Sequence, residues 1–202
     1  MKSTKNNNLK PLALLALFIT SYIPLFVLIV IRQVSENWQY MHWGGLNLAS
    51  FLVFVQKFGI SALLFVVGVL GYGGFRILMN VIESRSANGR IVRVANIKNN
   101  NSEAIGYIAT YILPFIGSNF NDWIDCVVFL LLMVWVYLIY IRSNMILVNP
   151  IVSMKYSLLE VEYMDNGLLR NTTMITPLKD LEENVDYKIY KIGFKLHYGK
   201  IC

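Results

Sequence analysis

Charge is scarce in this chain. Only 15% of its 202 residues are Asp, Glu, Lys or Arg, where a water-soluble domain carries about a quarter. Cysteine is nearly absent. Cys126 and Cys202 are the only two, which excludes a disulfide framework, and no CxxC or Cys/His cluster offers a zinc site. Cys202 is not expected to act as a prenylation box, because no further residues follow it in this sequence. There are two histidines, His42 and His197, separated by long apolar stretches. No Ser/His/Asp or Cys/His set can be built from them, and no glycine-rich phosphate loop with a following lysine occurs. The expectation is therefore a protein that is not an enzyme and needs no cofactor or metal.

Apolar length is what the chain has in abundance: 56% hydrophobic residues and a mean hydropathy of +0.52. The clearest run is Trp123–Ile141, WIDCVVFLLLMVWVYLIYI. It has one charge, Asp125, and aromatic residues toward both ends. About 20 apolar residues span a hydrocarbon core of roughly 30 Å, with Trp and Tyr at its interfaces. A tail over 1–11 precedes a first span at 12–31, which contains Pro24 and is expected to kink there. Residues 32–57 read as an external loop and interfacial segment rich in aromatics, including Trp38, Tyr40 and Trp43. Its last ten residues could be helical. The second span is set at 58–75, with Gly68, Gly71, Gly73 and Gly74 suited to close helix packing. Residues 76–103 read as a polar strand and loop, with the strand at Arg90–Lys98. A third, shorter span is set at 104–120, with a re-entrant segment as the alternative, and a fourth at 123–141.

The remainder, 142–202, changes character. Tyr156–Tyr163 alternates apolar and charged residues, Asp165-Asn166-Gly167 is a hairpin turn, and Leu168–Ile175 returns as a strand. Thr176-Pro177 could open a short helix to about Glu183. Tyr187–Tyr198 alternates as one further strand. The expected fold is thus a mainly α membrane protein, with four transmembrane helices and a small cytosolic β-rich domain that the Arg90–Lys98 strand joins. Such a small sheet is expected to leave open edges.

Cations set the orientation. Three Lys or Arg residues lie in the tail, five in 76–103 and eight after Ile141, against Arg32 alone on the other side and Lys57 at a boundary. The positive-inside bias places both termini in the cytoplasm of a multi-pass inner-membrane protein, so the Asn-x-Ser/Thr triplets at Asn100 and Asn171 should carry no glycan. Two candidate sites follow. Lys57 and Asp125 would lie near the outer face and could pair within or between subunits, or each reach water independently. Arg85, Arg90, Arg93 and Lys98 form a basic stretch for anionic lipid or an acidic partner protein. Direct nucleic-acid binding is not expected, because no aromatics interleave with these cations.

The stretches SYIPLFVLIV (Ser21–Val30) and NPIVSMKYSLLEVEY (Asn149–Tyr163), within this four-span layout, resemble the KwaA family, the membrane component of the bacterial Kiwa anti-phage defence system. The resemblance covers most of the chain as a layout and supplies no catalytic residues. It implies a membrane sensor of phage infection. Such a sensor would form a homo-oligomer, a tetramer among the options, and engage KwaB, a cytosolic DNA-binding effector, to suppress phage replication and late transcription. The reading reached is a sensor and scaffold. Its rivals are a small channel or transporter subunit, which needs a polar stripe through several spans, and a pore-forming toxin.

Overall fold

A computed structural model describes residues 9–42, 44–99, 119–141, 149–165, 167–179, 181–193 and 195–201. The third apolar segment, 104–120, lies outside the described residues but for its last two, and Trp43 lies outside them too.

The first apolar run is two helices, α1 (Pro11–Ser21) and α2 (Ile23–Glu36), bent by 49° at Tyr22. A kink at Pro24 was expected within one helix, and the break falls two residues earlier. Pro24 has no N–H for the Thr20 carbonyl, so the ladder opens one turn upstream. There Thr20 Oγ1 and Ser21 Oγ donate back to Ala16 O (2.6 Å) and Leu17 O (2.9 Å). Hydroxyl back-bonding of this kind bends helices. Helix α2 also runs past the predicted boundary to Glu36, with an Arg32–Glu36 ion pair on its surface. A 3-10 turn follows at Trp38–Tyr40.

The second span is part of a single 38-residue helix, α3 (Leu48–Arg85). At 1.5 Å per residue it is about 57 Å long, nearly twice a hydrocarbon core. It starts early because the Asn47 side chain accepts from Ser50 N (2.7 Å), capping the first turn. It ends late because Phe75, Met79 and Ile82 recur at helical spacing and are buried. The residues 76–85, read as the start of a loop, are therefore its last turns. Gly71 lets α1 approach: a methyl group there would run into Ile19, and Thr20 Oγ1 also reaches Gly71 O (3.3 Å).

Helix α4 (Trp123–Tyr140) packs beside α1, with Phe18 against Tyr137 and Tyr140 at ring distances of 5.1 and 5.4 Å. Two described helices, α3 and α4, are apolar and long enough to cross a membrane, or three spans if α1 and α2 count as one. Three of the four expected spans thus have described counterparts, and the remaining one, at 104–120, lies outside the described residues but for its last two. A short α5 (Pro150–Lys155) leads to the strands.

Five strands, β1 (Arg90–Asn99), β2 (Ser157–Asp165), β3 (Leu168–Thr176), β4 (Asp186–Gly193) and β5 (Leu196–Ile201), close into a barrel in the order β1-β2-β3-β5-β4. The β3–β5 pair is parallel and the other pairs are antiparallel. This is the arrangement of OB-fold barrels, here with α4 inserted in the β1–β2 connection. Closure corrects the expectation of open edges. An irregularity between Val94 and Asn96 curves β1 so that its first half pairs with β4 and its second with β2. Val92, Val94, Leu159, Val161, Tyr163, Met174, Tyr187 and Ile189 fill the interior.

β2 and β3 pair as the predicted hairpin, with Gly167 at φ +79° and Asp165 opposite Leu168, while Asn166 lies outside the described residues. The segment expected as one strand over Tyr187–Tyr198 is instead a hairpin. Gly193 pairs with Leu196, and Lys195 before Leu196 is left-handed (φ 51°). The short helix after Thr176 does not form in the described residues. Leu178, Leu181 and Val185 pack onto the barrel core, and Asn184 N and Val185 O exchange hydrogen bonds with Val94. Burying all three apolar side chains in the barrel mouth wins over a surface helix.

Candidate functional site

Polar side chains gather at both ends of the helical bundle. At the end away from the barrel, Gln33 of α2 is 2% exposed. Its Nε2 donates to Phe120 O (3.2 Å), and its Oε1 accepts from the backbone N–H (3.1 Å) and hydroxyl of Ser61 on α3. One turn on, Asn37 donates to Asn121 Oδ1 (2.8 Å), and Asn121 donates to Glu36 Oε2 (2.9 Å). Three chain segments are thus clasped by one amide network, buried at Gln33, Asn37 and Ser61 and open to the surface at Asn121 and Glu36. Such a network is costly to leave half-satisfied and specifies one packing. Beside it, a cleft of about 690 Å³ opens between α3 and the start of α4, with Gln33, Gln56, Asn119 and Asp122 on its wall.

The predicted charge pair flanks this region, and the structure does not join it. The Lys57 ammonium lies over the Tyr40 ring, 5.0 Å from its centre. The Asp125 carboxylate accepts from Asn119 N (2.7 Å), holding the turn before α4. The clasp residues Gln33, Asn37, Ser61 and Asn121 were not singled out from sequence. Their only signal is an uncharged amide or hydroxyl beside a long apolar run.

At the barrel end, Asn149 is wholly buried. Its Oδ1 caps α5 by accepting from Ile151 and Val152 N–H groups (3.0 and 3.3 Å), while its Nδ2 donates to Leu17 O on α1 (2.9 Å). Tyr156, the next link toward β2, donates its hydroxyl to Glu83 Oε1 on α3 (2.6 Å). Burial, and then that carboxylate, hold the Tyr156 phenol above its ordinary range. Tyr198 is pushed up to about 12 for the same two reasons. Leu158, Ile175, Ile192, Leu196 and Tyr198 continue the bundle's apolar core into the barrel wall. Bundle and barrel are therefore packed as one body through a joint of Asn149, Tyr156 and Glu83.

The predicted basic stretch is distributed differently. Arg85 is exposed in the last turn of α3. Arg90 donates to Asp165 Oδ2 (3.0 Å) and to the Tyr163 hydroxyl (2.8 Å), and Arg93 pairs with Asp186 (3.1 Å). Lys98 stands opposite Glu160 in the strand register. Arg90 and Arg93 thus serve as cross-strand ties of the barrel. Inside the barrel wall His197 bonds the Thr172 hydroxyl (2.7 Å); burial, then Arg90 and Lys191, lower its pKa to about 4. No group of three or more His, Cys, Asp or Glu side chains among the described residues could hold a metal ion.

These features define a class: a bundle with two to three helices apolar enough to cross a membrane, continuous with a closed five-stranded barrel. A family model described as "Anti-phage protein KwaA" matches residues 13–198. The chain belongs to the KwaA family of the Kiwa anti-phage defence system. The Kiwa protein KwaA of Escherichia coli O55:H7 (strain RM12579 / EPEC) is 26% identical over 103 residues, 49% of this chain. The match spans about half, 53%, of that protein's length. No solved structure matches the chain.

Proposed function

We propose that this protein is a sensor and scaffold of Kiwa defence in the bacterial inner membrane, with both termini in the cytoplasm. In this reading it assembles with copies of itself, a tetramer being one such assembly, and recruits a KwaB-like cytosolic DNA-binding effector. The supporting observation is the split barrel. Its β1 follows α3 after a 3-10 turn at Ser86–Asn88, and its β2 follows α5. A rearrangement among the helices therefore bears on the β1–β2 ladder through the contacts of Asn149 with α1 and of Tyr156 with α3.

Closure changes how an effector docks. No strand edge is left to extend, so recognition falls to side chains on the barrel wall. Glu160 and Glu162 alternate along β2 with the inward Leu159 and Val161, giving that outer wall an acidic stripe. In OB barrels this is the face that takes oligonucleotides. Two carboxylates repel a polyanion, which favours a protein partner with a basic surface over direct nucleic-acid contact.

The test is Asn149→Ala in the intact Kiwa system. We expect it to leave membrane insertion and effector co-purification intact and to cost about tenfold or more in protection against phage plating, the scale of a 1–3 kcal/mol coupling. Full protection by this variant, with the effector still bound, would mean that the joint does not carry the signal.

A further inference from the structure

A second groove, of about 240 Å³, lies where α3 leaves its apolar stretch and meets α5. Tyr72, Arg76 and Asn80 line it from α3, and Met154 and Lys155 from α5, with Tyr156 beyond. Arg76 is the first charge after the apolar residues 58–75, so the groove sits at the edge of the hydrocarbon layer on the barrel side. Its two cations are held in a particular way. The Arg76 guanidinium lies over Tyr72 (5.8 Å to the ring centre) and the Lys155 ammonium over Tyr156 (5.1 Å). An aromatic face orients a cation and leaves its N–H donors free. Among the described residues neither cation forms an ion pair with a carboxylate. Glu83, the acid on this side of α3, receives the Tyr156 hydroxyl. The neighbouring Met154 is 83% exposed. An apolar side chain beside a cation on a short helix at this depth suits acyl chain below and phosphate above.

We propose that Arg76 and Lys155 form a headgroup site for an anionic glycerophospholipid of the leaflet nearer the barrel. The two cations bind its phosphate, Asn80 offers an amide to the headgroup, and Met154 meets the acyl chains. The site would pin α5, and with it the joint at Asn149 and Tyr156, to the membrane surface. A cytosolic peptide fits less well, because the groove opens beside residues that belong to the apolar stretch.

The inference rests on the membrane reading given above, and the two are tested apart. The full chain is extracted from bacterial membranes, its resistance to alkaline carbonate extraction is recorded, and retained phosphatidylglycerol is counted by native mass spectrometry. Arg76→Gln and Lys155→Gln should each lower retained phosphatidylglycerol about fivefold, the equivalent of ~1 kcal/mol per surface cation. Lys155→Arg should retain it, and Lys188→Gln, on β4, should change nothing. A double Arg76→Gln/Lys155→Gln variant that stays in the membrane pellet and keeps its phosphatidylglycerol overturns the site alone. A wild-type chain absent from the pellet overturns the membrane reading and the site with it. Displacement of the lipid by millimolar inorganic phosphate would make this a soluble-anion site and would equally overturn the proposal.

Discussion

Single residues carry the packing of this bundle where amides replace apolar side chains. Gln33 satisfies one carbonyl and two donors of other segments from a buried position. Gln33→Leu keeps the volume and removes every partner. It should cost about 1–3 kcal/mol, the penalty for stranding buried polar groups, read as a lower melting temperature in detergent. A variant as stable as the parent would mean that water replaces the amide. His197 sets a pH response. Its free pKa is near 6.5 and its folded value about 4. Between those values the unfolded chain binds more protons, so the contribution is intact above about pH 6.5 and is lost as pH falls toward 4. Barrel melting followed by circular dichroism should therefore drop between pH 7 and pH 4.5, and His197→Gln should flatten that part of the profile. An unchanged slope in the variant would assign the response to other groups.

At the scale of elements, the barrel depends on a strand that lies far from the others in sequence. β1 pairs with both β2 and β4, and Val92 and Val94 fill the interior. A fragment of 149–202 should therefore fail to give a dispersed amide spectrum or a cooperative melt. The same fragment preceded by 90–99 on a short linker should fold. A folded 149–202 fragment would show that four strands suffice. The individual strands were legible from alternation at Tyr156–Tyr163 and from the Asn-Gly turn, because both signals are local. The hairpin at Gly193 was not. Alternation runs through Ile192, Leu196 and Tyr198 on either side of it, and pairing Gly193 with Leu196 preserves that phase. The helix expected after Thr176 failed for a different reason. Its apolar residues had a better burial site in the barrel mouth, which no local pattern announces.

For the whole molecule, orientation is the property on which partner and lipid both depend. With Cys126 and Cys202 replaced by Ser, a cysteine at Gln39 should react with a membrane-impermeant maleimide in intact cells. One at Glu183, exposed between β3 and β4, should react only after lysis. Labelling of Glu183→Cys in intact cells would place the barrel outside and remove the cytosolic effector from the account. The length of α3 bears on this arrangement. If residues 58–75 cross the membrane as proposed, the last turns of α3, ten residues or about 15 Å, separate the hydrocarbon edge from the start of β1.

The sequence by itself determined the positions of apolar runs long enough to cross a membrane, the β-rich end and the family resemblance. Each of these follows from composition, run length or short-range periodicity. Tertiary structure decided the rest. It split the first run at Tyr22, extended the second to 38 residues, and closed the strands into a barrel. It gave Lys57 and Asp125 separate partners, and paired Arg90 and Arg93 on the barrel surface with carboxylates on neighbouring strands. Charge placement shows that a cation is available, but which group answers it depends on strand register and helix packing. Those are set by contacts between residues as far apart as Arg93 and Asp186.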